Sequence, residues 1–105
     1  MIRAVFFKRH GRPLGFRVSG HSGVSAAGTD IVCAAVSSAA YLTANTITEV
    51  LGVKARVLVK DGEMLLEIPE NDAAPCGSLL KGFRLHMAAL GEQYPDHIEV
   101  IDTEV

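Results

Sequence analysis

The sequence predicts an α+β domain in which two helices pack on a largely antiparallel sheet, in the order ββαββαβ. Three observations predict it. Short runs with period-two alternation come in pairs joined by glycine-bearing turns. Two longer stretches carry apolar residues at helical spacing. A single short β-like run follows the second of these, and strand pairs separated by single helices suggest helices layered on one sheet.

Ile2 to Lys8 mixes β-branched and aromatic residues. His10, Gly11, Arg12 and Pro13 then form a turn into Leu14 to Ser19, where Leu14, Phe16 and Val18 alternate, which completes a hairpin. Gly20 to Thr29 holds three glycines and, His21 and Val24 apart, only small side chains, so it reads as an adaptable loop. Asp30 reads as an N-cap for a long helix over Ile31 to Leu51 with Gly52 as its terminator. Val32, Val36, Ala39 or Ala40, Thr43, Ile47 and Val50 repeat at helical spacing along it, and its many Ala and Ser residues allow close packing on a sheet.

Lys54 to Lys60 predicts a strand with Ala55, Val57 and Val59 inward. Asp61-Gly62 is a hairpin turn, and Glu63 to Pro69 returns with Met64, Leu66 and Ile68 inward. After a loop at Glu70 to Pro75, Leu79, Leu80, Phe83, Met87 and Leu90 define an amphipathic helix ending near Gly91. Ile98 to Ile101 is the last strand.

A length of 105 residues with 49% hydrophobic content suits one domain, residues 1–105, with a modest core. The net charge is −2 and the ten Lys and Arg residues are scattered, which argues against direct nucleic-acid binding. Ile2 to Phe7 is too short for a signal segment, and no apolar run of about 18 residues is expected, so the reading is cytoplasmic with no membrane contact. Cys33 and Cys76 form neither a disulfide scaffold nor a CxxC pair. No metal and no cofactor are expected.

The chemistry concentrates between Gly20-His21 and Cys33. With Asp30 as cap, Cys33 falls in the first helical turn, where unpaired amides and the positive end of the helix favour a thiolate. His21, twelve positions earlier, could take the thiol proton and later protonate a leaving amine. First-turn amides, the Cys33 N–H among them, are candidate oxyanion donors. The plain alternative is a buried Cys in an Ala-rich helix and a Gly-His pair in an ordinary loop.

Gly20-His21, Gly28 and above all Asp30-Ile31-Val32-Cys33-Ala34-Ala35-Val36-Ser37 resemble the signature of the ribosomal-processing cysteine protease family. The closing Glu92-Gln93-Tyr94-Pro95 and Ile98-Glu99-Val100 are similar as well, so the resemblance covers nearly the whole chain. It implies an intracellular cysteine endopeptidase that removes the N-terminal extension of a large-subunit ribosomal protein, cuts after a phenylalanine-rich segment, and works as a homodimer. By the same resemblance His21 and Cys33 are the catalytic pair, and Ser22 to Thr29 is the loop that closes on substrate. Ser22 stands where Ala is more familiar.

Asp30, Ser22, Gly23 and Gly28 are candidate orienting or substrate-binding residues, with Asp30 also explained as a helix cap. Ser19 and Ser37 are weaker candidates of the same kind. Cys76, between Pro75 and Gly77, reads as a bystander thiol, with a redox pair with Cys33 as the other reading. His10, His86 and His97 show no metal spacing. Met64 and Met87 read as core, and Phe6, Phe7 and Phe16 as core or groove. The rival to proteolysis is a non-catalytic module that binds a ribosomal protein or assembly factor.

Overall fold

The first hairpin sets the frame of the molecule. The computed structural model describes residues 1–20 and 27–105, with the backbone alone described over 27–30. In it β1 (Ile2–Arg9) and β2 (Arg12–Ser19) pair antiparallel. Their turn is tighter than the sequence suggested. His10 and Gly11 form it alone, with φ of 53° and 75°, the two positive values that a two-residue turn matching the twist of its strands requires. Pro13 instead lies inside β2, opposite Lys8. Because Gly15 is opposite Phe7, Leu14 is an extra residue, and this bulge is a place where a strand tolerates proline.

The second hairpin joins β3 (Arg56–Lys60) to β4 (Glu63–Glu67) through Asp61-Gly62, and β5 (Ile98–Glu104) follows the second helix. The strands lie in the order β3-β4-β2-β1-β5. All neighbours are antiparallel except β5, which runs parallel to β1 with Ile98 opposite Ile2. This is the expected ββαββαβ domain with a largely antiparallel sheet.

Register places Ala4, Phe6, Phe16, Val18, Met64 and Leu66 on one face, all buried. Helices α1 (Ala27–Asn45) and α2 (Gly77–Gln93) complete the core with them. Phe83 of α2 meets Phe16 and Phe6 edge-on at centroid separations of 4.7 and 5.5 Å. Each such ring removes enough apolar surface from water to contribute about 1.5–3 kcal/mol, and the edge-on geometry adds to that. Met64 and Met87 are core residues as expected, and so are Phe6 and Phe16, while Phe7 is only partly buried.

Along α1, Val32, Val36, Ala40, Thr43 and Ile47 are buried against the sheet. The helix continues through a π-helical turn, Thr46–Val50, in which the Leu51 N–H donates to the Thr46 carbonyl at 2.8 Å. That wider turn rotates the following residues, so Val50, expected on the inner stripe, is 77% exposed. Gly52, at φ 69°, ends the helix, and the Val53 N–H reaches back to the Ile47 carbonyl at 3.0 Å.

Two further expectations are overturned. Val57 and Val59 do lie on the helix side of the register, yet β3 is an edge strand and all five of its residues are exposed. The stretch Ile31–Val50, mean hydropathy 1.3, is also long and apolar enough to cross a membrane. Its Ala, Ser and Thr residues dilute the Leu, Ile and Val that make such a run obvious. In this fold it is the helix that covers the sheet.

Candidate active site

The site begins at a glycine. Gly20, just past β2, has φ 93°, and a Cβ placed there would stand 2.2 Å from the Met1 carbonyl oxygen. Only glycine fits so close to another backbone. The Gly20 N–H donates to the Gly62 carbonyl at 3.1 Å. The chain therefore leaves the sheet toward His21 from a fixed point beside the start of β1 and the β3–β4 turn. His21, Ser22 and Gly23 lie outside the described residues.

The chain is helical again from Ala27, three residues before Asp30. This corrects the expectation of a cap at Asp30 and a loop through Thr29. Ala27 is a strong helix former, and Gly28 and Thr29 are tolerated in a first turn despite their loop-like composition. Gly28 and Asp30 are the second and fourth helical residues. The unpaired amides of this helix are those of residues 27 to 30. The Cys33 N–H is thus used within the helix and is not a free oxyanion donor, and Cys33 stands in the second turn.

Val32 points into the core, and Cys33, one residue on, falls on the flank of α1, partly buried against that core and partly open. Helical geometry puts Cys33, Ser37, Ala40 and Tyr41 along one side, at i, i+4, i+7 and i+8. This side faces the second hairpin across a cavity of about 160 Å³, to which α1 contributes Ser37, Ala40 and Tyr41 and the hairpin Val59, Gly62 and Met64. Gly62 thus lines the cavity and also anchors Gly20. The point from which the chain departs for His21 is tied to a cavity whose helical wall begins at Ser37, one turn along α1 from Cys33.

Cys76 is different. It is fully buried where α2 begins, and burial, helped by the charge of Asp72, pushes its thiol pKa up. It is an enclosed core thiol. His10 is an exposed turn residue and His86 lies on α2.

Sequence reasoning found Cys33 but not the cleft wall. Asp61-Gly62 was legible as a turn and Val59 as a strand residue. Their position across a cavity from α1 depends on the pairing of β2 with β4, which no local signal encodes.

Comparison with known proteins now fixes the class. The family model described as cysteine protease Prp matches residues 1–99, so the protein is a cysteine protease. More narrowly, the chain belongs to the cysteine protease Prp family, the family that the signature around Cys33 resembles. Among solved structures it is similar to SMU.848 from Streptococcus mutans, with 25% identity and a TM-score of 0.88 over 100% of this chain and 99% of that one. It is also similar to an essential ribosomal processing protease Prp from S. aureus in complex with a substrate peptide, with 18% identity and a TM-score of 0.88 over 98% of this chain and 100% of that one. The complex of that protease with a covalently linked product peptide gives 19% identity and a TM-score of 0.85 over the same 98% and 100%. At these lower identities the two peptide complexes show a shared fold. No curated protein matches the sequence significantly.

Proposed function

We propose that this protein is a cytoplasmic endopeptidase that removes the N-terminal extension of a large-subunit ribosomal protein, with Cys33 as nucleophile and His21 as its base. The observation that carries the reading is the partly open Cys33 on the flank of α1, one helical turn from Ser37, which lines a cavity with Gly62, the residue whose carbonyl anchors Gly20 just before His21. The family supports the reaction type, and the S. aureus protease with its peptides supports the substrate class.

In the reaction the His21 imidazole accepts the Cys33 proton as Sγ bonds to the scissile carbonyl carbon. The carbon–nitrogen bond then breaks, and the imidazolium gives its proton to the departing amine, leaving a thioester. Water, deprotonated by His21, attacks the thioester, and the acid product and the Cys33 thiol are released. The field of a helix start falls off within its first turn. For a sulfur in the second turn the imidazole therefore carries more of the activation.

A homodimer belongs to the same proposal. The chain carries no charged residue from Ile31 to Thr48, and Ile31 and Leu42 on the outer side of α1 are 63% and 67% exposed. Apolar surface of this kind marks association sites, and sedimentation at micromolar concentration reads the state directly.

The test of catalysis is incubation with a synthetic peptide spanning the extension and its junction. Wild-type protein cuts it, and Cys33→Ala and His21→Ala do not. Cleavage by Cys33→Ala at the wild-type rate removes the proposal.

A further inference from the structure

Folding gathers cations that are scattered along the sequence. The β1–β2 turn lies at the pole of the sheet opposite Gly20, about 23 Å away at an extended rise of roughly 3.3 Å per residue. Beside it two concavities of about 270 and 410 Å³ share Gly11, Pro13 and Lys81, and so form one groove. Its inner part has an apolar floor of Phe6, Pro13 and Leu80 and is bordered by Lys8 and Arg84, while Arg12 and Lys81 border the outer part. Four cations and one carboxylate, Asp102, thus line a groove in a chain whose net charge is −2. Asp102 is already engaged. Arg84 donates to both its oxygens at 2.7 and 2.6 Å, and Lys8 adds its field to the same carboxylate. Of the other acids at this pole, Glu70 pairs with Arg9, Glu104 accepts the His10 amide at 2.7 Å, and Asp72 acts on the buried Cys76. Arg12 and Lys81 form no ion pair among the described residues.

We propose that this groove binds a nucleoside diphosphate, with its phosphates held by Arg12 and Lys81 and its nucleoside lying on the floor of Phe6, Pro13 and Leu80. An arginine fork meets a phosphate bidentately and a lysine meets it as a point charge, so the two uncommitted cations suit a tetrahedral anion. The apolar floor beside them suits the ring that such an anion carries, and the combined space matches the roughly 300–1,000 Å³ of small-molecule sites. A polynucleotide fits less well, because no exposed Phe or Tyr lines the groove to stack a row of bases. The groove shares no lining residue with the cavity beside Ser37, and the assignment does not depend on the catalytic reading above.

The experiment is calorimetric titration of the full chain at about 0.15 M salt, where exposed charges more than roughly 8 Å apart are screened. ADP, GDP and UDP are compared with pyrophosphate, with the matching nucleosides and with a short oligouridylate. At least one diphosphate is expected to bind one to one, about tenfold or more tighter than pyrophosphate and than its own nucleoside. Arg12→Ala and Lys81→Ala, both at exposed positions, should each weaken that binding about tenfold, and a thermal melt checks that they fold. Arg17→Ala removes an exposed cation from the other face of the sheet and should leave the affinity within about twofold. No saturable binding of any of the three diphosphates up to about 5 mM, or unchanged affinity in both groove variants, overturns the site. Pyrophosphate binding as tightly as the diphosphate overturns the nucleoside assignment in favour of a bare phosphate. Tighter binding of the oligouridylate, falling steeply with added salt, overturns it in favour of a polynucleotide.

Discussion

The two cysteines of this chain occupy opposite environments near the starts of its two long helices. Cys33 is in the second turn of α1, on a flank that is partly open to solvent. Cys76 adjoins the first residue of α2, closer to a helix start than Cys33, yet its side chain is fully buried and its thiol pKa is raised. A helix N-terminus alone therefore does not make a nucleophile. Removal from water opposes the thiolate more strongly than the helix end favours it, and what separates the two sulfurs is exposure, Cys33 being partly open and Cys76 buried.

The largest effect should appear in cleavage of the extension peptide. Cys33→Ala is expected to lower kcat/KM by about a thousandfold or more, while Cys76→Ala stays within about twofold. Loss of activity on removing both cysteines equally would point to a dithiol mechanism and break the contrast. Labelling comes next. In native protein iodoacetamide should modify Cys33 on a scale of minutes, with Cys76 reacting only through opening of the core, at least about a hundredfold more slowly. Peptide mapping by mass spectrometry distinguishes the sites, and comparable native rates would contradict the burial of Cys76.

Stability offers a smaller signal. Cys76→Ser places a hydroxyl where the thiol is enclosed, and a loss of about 1–3 kcal/mol in urea unfolding is expected. Cys33→Ser, partly open to water, should change stability by no more than about 0.5 kcal/mol. The smallest effect is in pH dependence. The folded-state pKa of Cys76 lies above its unfolded value of 9.0. Its contribution is therefore complete below pH 9 and is lost as the pH rises through the folded value, with a slope of at most about 1.4 kcal/mol per pH unit. In a Cys33→Ala background, further change of Cys76 to Ala should flatten the decline of stability between pH 9 and 10.5. An unchanged decline would show that Cys76 does not titrate differently on unfolding.

The legible parts of the fold are those where one local rule acts alone. Phe16 and Val18, Met64 and Leu66, and Leu80, Phe83 and Met87 fall where their periods place them. The misread parts depend on partners distant in sequence. Val57 and Val59 have a core pattern, but they stand on an edge strand and remain exposed. Leu65 is buried on the face where water was expected, flanked in register by Leu58 and Arg17. His10 at positive φ shortened a turn that composition made long. At the site, Cys33 was found through a signature, because small residues in an Ala-rich helix do not announce a reactive flank. The start of α1 was misplaced because Gly28 and Thr29 resemble a loop. The cleft wall was invisible because the contact of Gly20 with Gly62 spans forty-two positions of sequence.

The close approach of Gly20 to the Met1 carbonyl has a practical consequence. Anything appended before Met1 emerges beside Gly20, whereas the Val105 amide is bonded to the Lys8 carbonyl, at the far end of the parallel pair. An affinity handle on the amino end would crowd Gly20 and the end of β2. The same handle on the carboxyl end would hang from the opposite pole of the sheet and leave that end clear.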